Sequence, residues 1–214
     1  VHAFNGKSIS RSVFRAKTAF RREAAGISGS DGLLMSEPLF SVRAMRLTHD
    51  TPCLAYSLEE EVQINIDKDV LLKKGPQVGP WLSNFKKVLR ESPDRREKIM
   101  VGGKRYRISD LADIARITKG QKICYATDLA MTENNLEKLR SLADGADVLY
   151  CEAYFLEQDR ERAVERFHLT AETCGTTARK AGVKRLVPIH FSPKYTDRPE
   201  DVLNEAMAAF SGNG

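Results

Sequence analysis

From about residue 108 onward, short apolar runs alternate with longer stretches in which apolar residues recur at helical spacing. Short apolar runs bounded by turn residues are typical of buried strands, whereas a recurrence at about every third or fourth residue is typical of helices. Their alternation predicts a regular α/β arrangement in this half of the chain. The predicted strands are 122–127, 147–151 and 185–189, and the predicted helices are 109–117, 133–144, 170–181 and 199–209, with a helix or a loop at 157–167.

The first half of the chain is less regular. Residues 8–25 have apolar members at helical spacing and predict a basic amphipathic helix, which the Gly and Ser residues of 26–32 end. The apolar stretches 39–48 and 53–58 predict strands. Residues 62–107 combine two Gly-Pro pairs, the only Trp and many charges, which predicts an inserted arm outside the central sheet. A connecting excursion with a surface helix is the alternative.

The composition is that of an ordinary soluble globular protein. The chain has 214 residues, enough for one domain, of which 42% are apolar and 29% charged. Its four cysteines are scattered without a Cys-x-x-Cys pair, which favours reduced, buried thiols in a cytoplasmic protein over disulfides or a zinc knuckle. Neither a membrane-spanning run nor the apolar core of a signal peptide is recognisable, so we expect no membrane partner.

The net charge of +5 permits a polyanionic partner without requiring one. The positive residues are concentrated in two clusters, which either form solvated faces or bind a nucleic-acid backbone. One cluster lies near the start of the chain and the other within the predicted arm: Arg11, Arg15, Lys17, Arg21 and Arg22, and then Lys86, Lys87, Arg90, Arg95, Arg96, Lys98, Lys104, Arg105 and Arg107.

Side chains with metal-ligand chemistry follow the predicted strands. Asp128, Glu152 and His190 come directly after strands of the second half, His49 follows an earlier strand, and His168 precedes a helix. Ligand and catalytic residues of α/β proteins lie at the carboxyl ends of strands, so we expect the first three at one edge of the sheet. Imidazole and carboxylate are ligands of zinc and related metals. The joint pattern predicts a metallohydrolase, although each residue alone could be a cap, turn or core residue.

Longer motifs around these residues resemble the ribonuclease Z family, metallo-β-lactamase-fold endonucleases that trim the 3′ end of precursor tRNA. The segments His168-Leu-Thr-Ala-Glu and Leu186-Val-Pro-Ile-His-Phe-Ser-Pro-Lys-Tyr resemble the carboxyl-terminal signature of the family. Cys151-Glu-Ala-Tyr resembles its His-Glu-Ala-Thr motif, Tyr125-Ala-Thr-Asp its Gly-Asp-Thr motif, and Leu47-Thr-His-Asp-Thr-Pro its middle metal-histidine segment. The resemblance implies an α/β fold, namely the four-layer αββα sandwich. It also implies that residues 1–214 form a partial domain, in which the amino-terminal part of this fold is missing.

The resemblance also implies a role for each residue. His49 and His190 would each bind one of two divalent metal ions and Asp128 would bridge them, with zinc expected and manganese or magnesium as alternatives. Glu152 and His168 would form a carboxylate–imidazole pair beside the metals, in which His168 donates a proton to the leaving oxygen and Glu152 orients it.

The predicted arm, 62–107, would correspond to the exosite that grips the elbow of tRNA. Backbone contacts of this kind position a substrate without reading its sequence. The residues expected to bind RNA are Gly79, Pro80, Lys86, Lys87 and, outside the arm, Lys194. The family's homodimeric state is implied as well.

Three features depart from the family pattern. The chain contains no His-x-His-x-Asp-His motif, which supplies most of the metal ligands, and it starts with Val1. The expectation is therefore a fragment of a longer protein that is inactive by itself, in preference to a shortened, inactive paralogue. Cys151 replaces a His that is not a ligand, and Lys194 replaces an Arg, which keeps the charge but loses bidentate phosphate geometry.

Three functions stay open at this point. The leading one is a metal-dependent endonuclease that processes the 3′ end of precursor tRNA. The second is another metallo-β-lactamase-fold hydrolase acting on small phosphodiesters or esters. The third is a non-catalytic RNA-binding paralogue. We also expect the isolated chain to leave one face and one edge of its sheet uncovered.

Overall fold

The computed structural model describes residues 1–91 and 97–212, and the chain separates into two compact units. One unit combines residues 1–59 with 121–214, and the other is 60–120. Arg95 and Arg96 of the second basic cluster lie outside the described residues.

The strands in chain order are β1 (His2–Phe4), β2 (Ser8–Val13), β3 (Glu23–Gly29), β4 (Leu33–Glu37), β5 (Phe40–Leu47), β6 (Cys53–Glu60), β7 (Gln63–Ile66), β8 (Lys98–Val101), β9 (Lys104–Arg107), β10 (Ala115–Thr118), β11 (Lys122–Ala126), β12 (Val148–Glu152) and β13 (Leu186–Ile189). The helices are α1 (Lys68–Lys74), α2 (Trp81–Glu91), α3 (Ile108–Leu111), α4 (Glu133–Ala143), α5 (Arg160–Glu165), α6 (Ala171–Lys180) and α7 (Pro199–Ser211). Short 3-10 turns lie at Ala16–Thr18, Ala112–Ile114, Glu157–Asp159 and Pro193–Tyr195.

The largest sheet in the described residues has the strand order β13-β12-β11-β6-β5-β4. The strands β11, β12 and β13 are parallel neighbours, and β6 pairs antiparallel with β11. The predicted strands of the second half are therefore confirmed, and their carboxyl ends meet at one edge. Parallel strands need crossover connections, which the helices α4 and α6 provide.

One face of this sheet carries the main core. Cys124, Leu149 and Leu186 alternate with more exposed neighbours along their strands and lie buried with residues of α4, α6 and α7. The helices begin where the sequence predicts, because the Thr132 and Thr170 side chains accept hydrogen bonds from backbone N–H groups of the first turns of α4 and α6.

The opposite face of the sheet exposes apolar side chains. Tyr56, Leu58, Ile123 and Tyr125 are 38–47% exposed, although they lie on the central strands β6 and β11. Alternation explains the pattern, since every second residue of a strand points away from the helical layer.

The predicted helix at 8–25 is wrong. Residues 8–13 form β2, which pairs with β1 and β3 in a separate antiparallel sheet. Buried Ile9 and Ser12 lie among more exposed neighbours, and the side chains of Phe14 and Phe20 are exposed and form no apolar stripe. Pairing with neighbouring strands outweighed a helical spacing whose members were too few to form a buried face.

The second unit contains the predicted arm. Its strands form two antiparallel pairs, β7 with β10 and β8 with β9, neither of which joins the large sheet. Buried Leu71, Phe85 and Ile108 belong to a core cluster of its own. The helix predicted at 109–117 is short, because α3 ends at Leu111 and the chain enters β10 at Ala115. Among the described residues no helix combines the length and apolar character needed to cross a membrane.

Candidate metal centre

Three neighbouring strands bring three of the predicted residues together. Asp128 follows β11, Glu152 ends β12 and His190 follows β13. The parallel register aligns these strand ends side by side. With His168 they form a group whose ligand atoms all lie within 4.8 Å of one another. The expectation that side chains at the carboxyl ends of these strands converge is met for these residues.

Two members of this group have an unusual backbone conformation. Asp128 and His190 have φ angles of 56° and 57°. The left-handed region costs a residue with a side chain roughly 1–3 kcal/mol, and such residues cluster at functional sites, where the surrounding structure holds them in place. Both residues lie just beyond the end of a strand, β11 for Asp128 and β13 for His190.

The Glu152 carboxylate links the loops around the centre. Its side chain is fully buried. One oxygen accepts a hydrogen bond from the backbone N–H of Leu169 at 2.8 Å, and the other accepts one from the backbone N–H of Asp128 at 2.6 Å. The same carboxylate is 3.2 Å from Nδ1 of His168 and 3.4 Å from Nδ1 of His190. A single side chain therefore contacts three segments that are distant in the sequence.

Electrostatics keep this carboxylate ionised. Burial by itself raises the pKa of Glu152, but hydrogen bonds from His168 and His190 outweigh it and hold the pKa below its usual value. In return, the hydrogen bond to Glu152 raises the pKa of His190, with burial opposing and the charges of Glu152 and Asp128 assisting. The Nδ1 atom of His190 lies 3.8 Å from the Asp128 carboxylate. The pairing favours a negatively charged carboxylate at the centre.

The His168 imidazole is held between Glu152 and an aromatic ring. It stacks on Tyr154 with ring centroids 3.9 Å apart and an interplanar angle of 7°. Because Nδ1 faces Glu152, the tautomer with hydrogen on Nδ1 is favoured. Tyr154 was not predicted as a site residue, although it lies in the Cys151-Glu-Ala-Tyr motif that drew attention to its neighbour.

His49 joins the centre through His168. The centroids of the two rings are 4.9 Å apart. The Nδ1 atom of His49 interacts with Asp50, whereas its buried Nε2 atom has no hydrogen-bond partner among the described residues. A buried nitrogen without a partner is costly unless it binds a ligand, so this atom fits a metal-coordinating role.

Asn135 fixes the segment that carries His49. It is fully buried, and its side chain accepts from the backbone N–H of Thr48 at 3.0 Å and donates to the Thr48 and Ala130 carbonyls at 2.8 and 2.9 Å. Sequence reasoning missed this residue. The available signal was weak, because an Asn in the first turn of a helix is ordinarily a capping or solvent-exposed residue.

The donor set fits a divalent transition metal. Two carboxylates and two imidazoles converge, and a third imidazole with a free buried nitrogen lies beside them. Nitrogen and oxygen donors of this kind suit zinc and related ions. His49, Asp128 and His190 could be the metal ligands, as the resemblance implies. Glu152 contacts the loops that carry Asp128 and His190.

The predicted RNA-binding residues lie in different parts of the chain. Gly79 and Pro80 directly precede α2, and Lys86 and Lys87 lie on that helix in the second unit. Lys194 belongs to the first unit and forms an ion pair with Asp159, which also accepts a hydrogen bond from Tyr195. Lys194 is thus engaged within the protein and is not a free cation.

Comparison with known proteins identifies relatives. Residues 113–191 match the family model described as Beta-lactamase superfamily domain. The chain is 30% identical over 213 residues to ribonuclease Z of Deinococcus radiodurans, covering 98% of this chain and 62% of that protein. It is 32% identical over 191 residues to ribonuclease Z of Thermobifida fusca, covering 89% and 55%. The chain therefore spans little more than half of the length of the curated relatives it matches.

Solved structures that match part of the chain include the short form of human tRNase Z. That match has 24% identity and a TM-score of 0.45 and covers 76% of this chain and 40% of the other. The metallo-β-lactamase-fold protein YhfI from Bacillus subtilis matches with 15% identity and a TM-score of 0.45, covering 83% and 46%.

Proposed function

We propose that this chain, which is related to the ribonuclease Z proteins and has part of their metallo-β-lactamase fold, contributes to a metal-dependent endonuclease that processes the 3′ end of precursor tRNA. The observation that carries the proposal is the convergence of Asp128, Glu152, His168 and His190 within 4.8 Å at the strand ends. The similarity to ribonuclease Z over nearly the whole chain supports the choice of substrate.

In this proposal His49, Asp128 and His190 hold two divalent cations, most suitably zinc, with manganese or magnesium as alternatives. Bound cations of this kind supply Lewis acidity for phosphodiester hydrolysis. His49 supports the assignment because its buried Nε2 has no other described partner. The given sequence contains no His-x-His-x-Asp-His motif, so two metal sites would need further ligands beyond His49, Asp128 and His190.

His168 is proposed as the proton donor and Glu152 as the residue that positions it. The contact between Nδ1 and the carboxylate leaves the other ring nitrogen, Nε2, for proton transfer. In the imidazolium form both nitrogens carry hydrogen, so the Nε2 proton would pass to the leaving oxygen and leave a neutral ring with its hydrogen on Nδ1. Stacking on Tyr154 restricts rotation of the ring. The hydrogen bonds from Asp128 and Leu169 hold the carboxylate in turn, so the donor is oriented through two layers of contacts.

The segment 62–107 is proposed as an exosite for the folded part of tRNA. The helix α2 carries Lys86 and Lys87, and Gly79 and Pro80 shape the turn before it. We further propose, from the family resemblance, that the protein works in the cytoplasm as a homodimer.

The proposal is tested by cleavage of a 3′-extended tRNA in the presence of zinc or manganese, using the natural full-length protein that contains this chain. Asp128→Asn should abolish cleavage and reduce bound zinc measured by elemental analysis, whereas Asp144→Asn on the exposed end of α4 should do neither. A metal-loaded protein that leaves the tRNA intact would refute the endonuclease.

Deletion of 62–105 separates the leading function from the alternative hydrolase. We expect the deletion to abolish tRNA cleavage while hydrolysis of bis-p-nitrophenyl phosphate continues, because the small substrate makes no exosite contact. Equal loss of both activities, with the circular dichroism spectrum of the remaining unit preserved, would instead favour a hydrolase of small phosphodiesters.

A further inference from the structure

A cavity of about 660 Å³ opens beside the candidate metal centre. His49 and His168 form one part of its wall, so the cavity is contiguous with the site. The rest of the wall combines aromatic rings and three cations with the two carboxylates of Asp50 and Glu165. The aromatic and cationic residues include Tyr154, Phe167, Arg162, Arg166 and Lys194. Aromatic and cationic side chains together are the usual surface for single-stranded nucleic acid.

Phe167, one residue of this wall, follows the end of helix α5 at a position that glycine ordinarily occupies. At the end of α5 the backbone N–H of His168 donates to the carbonyl of Ala163, and that of Phe167 donates to the carbonyl of Val164. This pair of hydrogen bonds is a Schellman motif, in which the residue at the Phe167 position has a left-handed conformation and is most often glycine. Phe167 adopts it with a φ angle of 61°.

The strained conformation presents an aromatic ring to solvent. Phe167 is 43% exposed, so burial offsets little of the conformational cost. Its ring meets the ring of His49 edge-on, with centroids 6.1 Å apart. Positive φ alone is not decisive, since exposed Phe20 also has a φ angle of 56°. Phe20 does not line the cavity, whereas Phe167 lines it and its ring contacts that of the candidate metal ligand His49.

Two arginines line the same cavity as this ring. Arg162 and Arg166 lie on the last turn of α5 and at its end. Among the described residues, neither is within ion-pair distance of a carboxylate, in contrast to Lys194, which is paired with Asp159. Arg162 lies 5.9 Å from the centroid of the Phe155 ring, so its charge is held against the cavity wall. Guanidinium groups that line a cavity and form no close ion pair among the described residues favour phosphate binding.

We infer that Phe167 is a stacking platform for an unpaired nucleobase next to the scissile phosphodiester, and that Arg162 and Arg166 bind the adjoining backbone phosphates. The inference rests on the proposed nuclease function and makes it more specific, because it assigns single-stranded RNA to this cavity. The ring selects for an unpaired base and not for a particular sequence. It makes no hydrogen bond to a base, so stacking should tolerate any base sequence.

The test measures binding of an eight-nucleotide single-stranded RNA to the 214-residue chain by fluorescence anisotropy. Phe167→Leu should weaken binding about tenfold, since stacking of one base on an aromatic ring contributes about that factor. Phe167→Trp should bind about as well as the wild-type chain. Tyr56→Leu is the matched control, because Tyr56 is 39% exposed and lies outside the cavity wall.

An abasic RNA distinguishes stacking from a structural role of the ring. With the stacked base removed, wild type should bind as weakly as Phe167→Leu binds intact RNA, and Phe167→Leu should show no further loss. Arg162→Gln combined with Arg166→Gln should instead lower the salt dependence of binding, by about 0.7 in the logarithmic slope for each phosphate that is no longer neutralised.

Equal affinity of wild type and Phe167→Leu for intact RNA would overturn the inference, as would failure of the wild-type chain to bind RNA. The endonuclease proposal is judged separately by cleavage and bound zinc. If the protein cleaves tRNA fully and Phe167→Leu does not change its affinity for RNA, the stacking inference is refuted and the endonuclease proposal stands.

Discussion

Replacing Glu152 by glutamine should destabilise the first unit strongly, although the side chain keeps its size. Both carboxylate oxygens accept backbone hydrogen bonds, from Leu169 and from Asp128. An amide offers one oxygen and one NH₂ group, so one backbone N–H would face another donor. Because Glu152 is fully buried, water cannot replace the lost acceptor.

The magnitude follows from these contacts. A hydrogen bond to a charged group contributes about 1.5–3 kcal/mol, and a buried donor left without a partner costs about 1–3 kcal/mol. Relief of the repulsion between the Glu152 and Asp128 carboxylates acts in the opposite direction. We therefore expect a net loss of about 3 kcal/mol, which corresponds to a decrease in Tm of roughly 6–12 °C for a chain of this size.

The assay is thermal unfolding in a chelating buffer, combined with hydrogen exchange of the Asp128 and Leu169 amides. A local loss of about 3 kcal/mol should raise exchange at the affected amide about 100-fold. Glu137→Gln, on the exposed side of α4, is the matched control. If Glu152→Gln changed Tm and amide exchange no more than this control, the interpretation of Glu152 as the link between the loops would be refuted.

Three further predictions concern other contacts. Asn135→Ala removes three hydrogen bonds of a buried side chain and should lower the free energy of unfolding by about 2–3 kcal/mol in urea denaturation. Hydrogen bonds from Lys194 and Tyr195 hold the pKa of Asp159 below its usual value. The contribution of Asp159 to stability should therefore be complete above about pH 4 and disappear as pH falls through the lowered pKa. Comparing the stability of Asp159→Asn with that of wild type across pH measures this contribution. Lys86→Ala combined with Lys87→Ala should weaken tRNA binding and lower its logarithmic salt slope by roughly 1.5.

Each of these has an opposing result. Asn134→Ala, at the exposed neighbouring position on α4, should change stability little, and an equal effect of both Asn variants would contradict the role of Asn135. A stability difference for Asp159→Asn that stays constant down to about pH 2 would contradict the assigned ion pair. If Lys68→Ala lowered the salt slope of tRNA binding as much as the Lys86 and Lys87 double variant does, a particular role of Lys86 and Lys87 in phosphate binding would be contradicted.

Local pattern was sufficient for most elements of the second half. The strands β11, β12 and β13 were predicted because each is a short apolar run, and the helices α4 and α6 because their apolar residues recur at helical spacing. The site residues were recognisable from their places after these strands, together with family motifs. The same reasoning failed at 8–25, where the sequence pattern did not reveal the neighbouring strands that pair with β2.

The sequence by itself determined which side chains could bind a metal and which strands they follow, because strand periodicity and residue chemistry are local properties. Only the tertiary structure decided that Glu152 hydrogen-bonds to Asp128 and Leu169, that Asn135 holds the Thr48 backbone, and that Phe167 is exposed in a left-handed turn beside the site. These contacts join residues far apart in the chain or depend on a backbone conformation that no local pattern indicates. They arise only once the parallel strands have packed and brought the loops to one edge.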